Sequence, residues 1–147
     1  MSVSVQAEDF DLGAEIAALR AGRSDIGAVV SFTGLVRDVA GGGGMMLEHY
    51  PGMTEACLSR VIEAATARWS LLGAVVTHRV GIVPVGDSVV VVGAASLHRA
   101  EALEATAFLI DRLKTDVPFW KREHYADGTA KWVEAKLSDD TRSEHWA

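Results

Sequence analysis

The sequence predicts a domain of the α+β class, a mixed α/β arrangement with a good share of antiparallel pairing. Three observations carry that prediction. Strand-like apolar runs alternate with segments whose apolar residues recur every three or four positions, in the order β-α-β-β-α-β-β-α-β-β. One run, Ser88 to Ser96, is apolar almost throughout, as in a strand covered on both faces. Near the end, Ala126-Asp127-Gly128 separates two strand-like runs, a hairpin signature. A length of 147 residues fits one domain, with a core over about 3–137 and a polar tail over 138–147.

Taken in order, Val3 and Val5 alternate with polar neighbours as in a short strand. Asp11 is placed to cap a helix through about Arg20, with Ile16 and Leu19 on one face and Leu12 beside them. Gly27 to Thr33 is a β-branched run that ends at Gly34, and the four glycines Gly41 to Gly44 mark a mobile loop. Met45 to His49 resumes as a strand and Pro51-Gly52 turns. Thr54 then caps a helix whose apolar positions are Leu58, Val61, Ile62, Ala65 and Trp69. Gly73 to Val80 and Ser88 to Ser96 are strands about a turn containing Pro84, Gly86 and Asp87. A helix follows from Arg99 to Thr115, with Leu103, Ala107 and Ile110 on one face and Pro118 past its end. Phe119 to Tyr125 and Thr129 to Ala135 form the hairpin. The polar tail after Leu137 is expected to be loose, with Trp146 as its one docking side chain.

Composition narrows the chemistry. With 49% hydrophobic and 23% charged residues, the chain is neither disordered nor of low complexity. Fourteen Lys+Arg against twenty Asp+Glu leave a net charge of −6, so no general affinity for nucleic acid or an anionic membrane is expected. An anionic ligand needs a local basic patch. A lone Cys57 excludes a disulfide framework and points to a reducing compartment, and Cys57 itself reads as an inert thiol beside an apolar helix stripe. No apolar run approaches the roughly 18 residues of a membrane span, and the acidic N-terminal segment is no secretory leader, so a cytoplasmic protein is expected.

The five histidines, at 49, 78, 98, 124 and 145, have no metal-ligand spacing, and the glycine run lacks the Gly-Lys-Ser/Thr of a phosphate loop. What remains is cationic. Arg37 follows a strand. His98-Arg99 sits where an apolar strand gives way to a helix, and free amide N–H groups at such a start favour an anion. Lys114 falls four residues after Ile110, on or beside the apolar stripe, and Lys121 follows Pro118-Phe119-Trp120. Each cation taken singly has an ordinary role as a solvated charge or helix C-terminal cation. Their accumulation at element ends points to a ligand site, because α/β folds build such sites there.

The segments Phe32-Thr33-Gly34-Leu35-Val36-Arg37, Leu47-Glu48-His49-Tyr50-Pro51-Gly52-Met53, Ser96-Leu97-His98-Arg99, Leu113-Lys114-Thr115, Pro118-Phe119-Trp120-Lys121-Arg122-Glu123 and Trp132-Val133-Glu134-Ala135 occur in register over roughly residues 26–137. In this the chain resembles the large, catalytic subunits of molybdopterin synthase. The resemblance implies an α/β-hammerhead-like domain with an additional antiparallel β subdomain. It also implies a sulfurtransferase that converts cyclic pyranopterin monophosphate to molybdopterin. The sulfur comes from the thiocarboxylate on the C-terminal Gly-Gly tail of a small ubiquitin-like carrier. No cofactor or metal is implied, since the pterin is substrate. The working assembly implied is a homodimer core carrying two carriers, a heterotetramer.

At the matching positions, Arg37, His98, Arg99, Lys114 and Lys121 are implied as pterin-phosphate and active-site residues, with Leu35, Val36, Arg122 and Glu123 as adjoining contacts. A cyclic phosphate and a thiocarboxylate are both anions, so clustered cations suit them. Lys114, between apolar residues and other cations, is the expected catalytic residue, with a lowered pKa for acid–base work or a charge that orients the thiocarboxylate. Lys121 supports it, and His98 binds phosphate or moves a proton. A straight helix from His98 to Lys114 spans about 24 Å, too far for one small pocket. The expected resolution is a two-fold dimer whose site takes His98 and Arg99 from one subunit and Lys114 with Lys121 from the other. The segment between Arg37 and Leu47 is shorter and richer in glycine than is usual for the family. Lys136 stands where arginine is common, keeping the charge of a substrate contact without the bidentate fork. Two other readings stay open: a non-catalytic dimeric module that holds a phosphorylated small molecule or a ubiquitin-like tail, and a sulfur or acyl transferase acting through Cys57.

Overall fold

The computed structural model describes residues 1–38, 43–124, 130–133 and 137–146. Within them the order is β1 (Ser2–Gln6), α1 (Leu12–Arg20), β2 (Ala28–Leu35), β3 (Gly44–His49), α2 (Met53–Trp69) and β4 (Gly73–Arg79). There follow β5 (Gly81–Val83), β6 (Ser88–Ser96), α3 (Arg99–Asp116), β7 (Phe119–His124), β8 (Ala130–Val133) and α4 (Leu137–Glu144). The ten predicted elements are all present as mixed α+β structure, and β5 and α4 are additional. The expected hairpin turn at Ala126-Asp127-Gly128 and Lys136 lie outside the described residues.

Two four-stranded sheets organise the fold. The first has the order β1-β4-β6-β2, with β1 parallel to β4 and the other neighbours antiparallel. Its central strand β6 is buried from Val90 to Ser96, because helices cover both faces. On one face α2 and α3 pack over Ala74, Val76, Val90, Val92 and Ala94; on the other, Leu19 of α1 meets Val75 and Ala95. The predicted stripe of α2 is buried in full, and each large side chain in it contributes about 1.5–3 kcal/mol. The second sheet, β5-β3-β7-β8, is wholly antiparallel and forms a smaller core of Val36, Leu47 and Val83.

Three local expectations change. On α3 the buried face holds Ala102, Ala105, Thr106, Leu109 and Leu113, while Leu103 is 55% exposed. The alanines let the helix lie close to the sheet, and Thr106 donates a hydrogen bond to the Val30 carbonyl at 3.3 Å. Thr54 does not cap α2, which starts after Gly52; the Gly52 N–H instead donates to Glu55 Oε2 at 3.2 Å. The Thr54 hydroxyl accepts from Tyr50 N–H and donates to the Pro118 carbonyl, both at 2.9 Å, so it ties the helix start to the head of β7. Gly44 belongs to β3 rather than to a loop: its φ of 106° suits glycine, and a Cβ there would press on the Val83 carbonyl.

The tail is not loose. α4 packs against α3 because Asp111, 7% exposed, accepts from Trp146 Nε1 at 2.8 Å and from Arg142 Nε at 3.1 Å. The Trp146 ring meets Trp69 and Phe108 edge-on, with centroids 5.6 and 5.8 Å away.

Candidate active site

At the junction of the two sheets lies a cleft of about 400 Å³ into which Arg37, Lys114 and Lys121 all reach. Each arrives on a different element. On the last turn of α3, Leu113 enters the core and carries Lys114 with it into a half-buried position beside Val89 and Val90 of the cleft wall. Lys121 is fixed by register: it stands opposite Leu47, and directly paired residues share a sheet face. Leu47 is buried at the cleft, so Lys121 faces inward while its neighbour Trp120 is 46% exposed. Arg37 follows the end of β2. There the Val36 N–H donates to the Asp87 carbonyl at 3.0 Å and the Val36 carbonyl accepts from Gly86 N–H at 2.8 Å, which holds Arg37 at the cleft. Leu35 and Val36 also line it, the first exposed and the second buried.

None of the described residues lining this cleft is acidic. A chain of net charge −6 therefore presents a local positive pocket, as an anionic ligand requires. The sequence reading missed one residue here, His78. It ends the face of β4 that begins with Ala74 and Val76, and the same alternation carries it past the core to the cleft. Only 2% of it is exposed. Its Nδ1–H donates to the Arg79 carbonyl at 2.7 Å, and its ring stacks on Phe119 with centroids 4.0 Å apart at 19°. Burial lowers its pKa to about 3; the hydrogen bond to Arg79 opposes that shift, and the charges of Lys114, Lys121 and His49 add to it. The signal was present in the sequence as a histidine that continues the alternation of Ala74 and Val76 along β4.

His98 and Arg99 are exposed at the opposite end of α3, about 24 Å along the helix from Lys114. The Ser96 hydroxyl donates to the His98 carbonyl at 2.5 Å and shapes the turn into the helix. Among the described residues no side chain caps that N-terminus, and His98 borders a second hollow of about 430 Å³ with Arg68, Ser70 and Glu104. The expected site set is thus split within one chain into the Arg37, Lys114 and Lys121 cleft and the His98-Arg99 helix start. Arg122 pairs with Met46 and falls on the face of β7 opposite Lys121. Glu123 continues β7 opposite Met45. Cys57 is half-buried on α2, accepts from Arg60 at 3.3 Å and takes no part in the cleft. Among the described residues no helix is long and apolar enough to cross a membrane, and no group of three or more His, Cys, Asp or Glu is gathered for a metal.

The MoaE protein family matches this chain over residues 5–116, from β1 to the end of α3. The chain belongs to the MoaE family. A MoaE relative from Ralstonia nicotianae, named molybdopterin synthase catalytic subunit, is 53% identical over 99% of this chain and 84% of its own length. The solved structure of the molybdopterin biosynthesis MoaE protein from Burkholderia ambifaria MC40-6 superimposes with a TM-score of 0.85 at 42% identity, covering 100% of this chain and 99% of that one. A complex of subunits 1 and 2 of the molybdopterin-converting factor from Helicobacter pylori 26695 contains a chain with a TM-score of 0.70 at 25% identity, over 92% of this chain and 90% of that one. These matches agree with the resemblance drawn from the six segments and with the mixed α+β fold.

Proposed function

We propose that this MoaE chain is the catalytic subunit of a molybdopterin synthase, a sulfurtransferase that converts cyclic pyranopterin monophosphate to molybdopterin. The observation that carries the reading is the convergence of Arg37, Lys114 and Lys121, from three elements, on one cleft free of described acidic residues. A volume of about 400 Å³ falls within the usual range for a small-molecule site. Both expected reactants are anions, a cyclic phosphate and a thiocarboxylate, and charge-assisted hydrogen bonds from these cations suit both.

In this reading Lys114 is the catalytic residue, because its ammonium enters a half-buried, apolar-walled position where charge interactions are strong. Lys121 supports it from β7, and Arg37 holds substrate at the cleft. His98 and Arg99, with the uncapped helix start behind them, bind phosphate from the second subunit of a homodimer. Since Cys57 stands apart from the cleft, sulfur comes from outside: the thiocarboxylated Gly-Gly tail of a small ubiquitin-like carrier, two copies of which complete a heterotetramer. The two-subunit complex among the structural relatives supports a second kind of subunit as partner. Incubating the protein with a thiocarboxylated ubiquitin-like carrier and cyclic pyranopterin monophosphate should yield the dithiolene product. A folded chain and a competent carrier that give none would refute the assignment.

A further inference from the structure

β2 is an edge strand that its own sequence leaves unguarded. In the order β1-β4-β6-β2 its one neighbour among the described residues is β6, and over Ala28–Leu35 it carries no charged residue and no proline, the usual devices that stop an exposed edge from pairing. α3 runs along this edge. The two elements start together, where the Gly27 N–H donates to the Ser96 carbonyl, and end together, where Leu35, Arg37 and Lys114 line one cleft. Midway, Thr106 reaches the Val30 carbonyl.

Beside Thr106 lies a stripe of α3 that the fold of one chain leaves partly open. Arg99, Leu103, Ala107, Ile110 and Lys114 fall within an arc of about 80° on the helix, and that arc begins next to Thr106, on the β2 side. Leu103 is 55% exposed, and Ala107 and Ile110 are half-buried. The stripe reads alike in both directions: cation, large apolar, small, large apolar, cation. A two-fold interface needs such a patch, because the same surface must meet itself.

Two lengths agree on where the axis lies. From Ala28 to Leu35 the strand advances about 24 Å, and from His98 to Lys114 the helix also advances about 24 Å. A two-fold axis through the middle of β2, near Ser31 and Phe32, therefore passes the middle of α3 as well, near Thr106 and Ala107. Turning one chain about it sets β2 antiparallel to its copy and Leu103 level with the partner's Ile110. The same turn brings His98 and Arg99 level with the partner's Lys114. β1, the other edge of this sheet, lies against α2, so pairing there leaves the two α3 helices apart.

We propose that a second copy of this chain docks on this face, β2 pairing edge to edge with β2 and α3 packing on α3 through Leu103, Ala107 and Ile110, so that one seam builds both composite sites. The like charges at its two ends, Arg99 and the partner's Lys114, are bridged by the anionic substrate.

Sedimentation of the full chain should give a dimer. Leu103→Glu, a change at an exposed position of the single chain, should raise the dissociation constant about a hundredfold or more. Hydrogen exchange should then quicken over Ala28–Leu35 while the β6 amides stay protected, which separates a lost seam from a lost fold. On a Cys57→Ser background, mild oxidation of Leu103→Cys/Ile110→Cys should link two chains, because these positions oppose each other across the axis yet stand about 10 Å apart along one helix. That cross-link decides the matter should Leu103→Glu not fold. A monomeric wild type, a dimer that Leu103→Glu leaves as tight as before, or a dimeric cysteine variant that does not cross-link overturns the proposal. The inference rests on the shared site of the proposed reaction, yet none of these measurements needs carrier or pterin. A dimer of this seam that makes no product sinks the sulfurtransferase reading alone, and an active enzyme whose dimer ignores Leu103→Glu sinks this proposal alone.

Discussion

Lowering the pH from 7 to 5 should cost this protein about 2 kcal/mol of stability through His78 alone. The native ring is held neutral by burial, with its pKa lowered to about 3 from an ordinary 6.5. Between those two values the unfolded chain binds a proton that the native chain refuses, so the contribution is fully present above the unfolded pKa and falls away as the pH drops below it. At pH 5 the unfolded histidine is almost wholly protonated and the native one is not, which gives the 2 kcal/mol. Urea unfolding at pH 7, 6 and 5 measures it, and for a chain of this size the loss moves the midpoint by about 1 M. The other histidines and the carboxylates titrate too, so the comparison is with His78→Phe. That variant carries a pH-independent offset from the stranded Arg79 carbonyl but lacks the His78 slope. Curves that stay parallel for the two proteins from pH 7 to 5 would refute the buried, neutral assignment.

Other expectations test separate parts of the account. Trp146→Ala removes a ring packed on Trp69 and Phe108 and the indole N–H that donates to buried Asp111, and should destabilise by about 3 kcal/mol in denaturant unfolding. A loss under about 1 kcal/mol would mean that α4 is not anchored in solution. Gly27→Ala places a methyl against the Leu97 carbonyl where β2 begins beside the end of β6, and should cost about 1–3 kcal/mol; a neutral effect would contradict that close approach. Mixing Lys114→Ala chains with Arg99→Ala chains should restore part of the activity that each lacks alone, since one composite site of the mixed dimer keeps both residues. No recovery in a verified heterodimer would count against a shared site.

The α2 stripe and the doubly covered β6 were legible in the sequence because each shows an unbroken pattern over many residues. So was the split of the cationic set, since helix length alone separates His98 from Lys114. The buried face of α3 was not, because Ala102 and Ala105 bury well by being small while the larger Leu103 stays outside. α4 escaped because it owes its place to long-range contacts of Asp111 and Trp146 more than to its own polar sequence. β5, three residues long, was hidden among the turn residues before β6. His78 was missed for a different reason. Between Thr77 and Arg79 a histidine reads as part of a polar strand end until the register and the cleft lining show that it stands inside, beside the cationic cleft.

The central claim is that the cleft carries the chemistry through Lys114. Single-turnover formation of the dithiolene product, measured alongside carrier and pterin binding in wild type and Lys114→Ala, tests it most directly. The account predicts binding of both retained within about tenfold and product formation reduced by about a hundredfold or more. Undiminished product formation by the folded variant would contradict it.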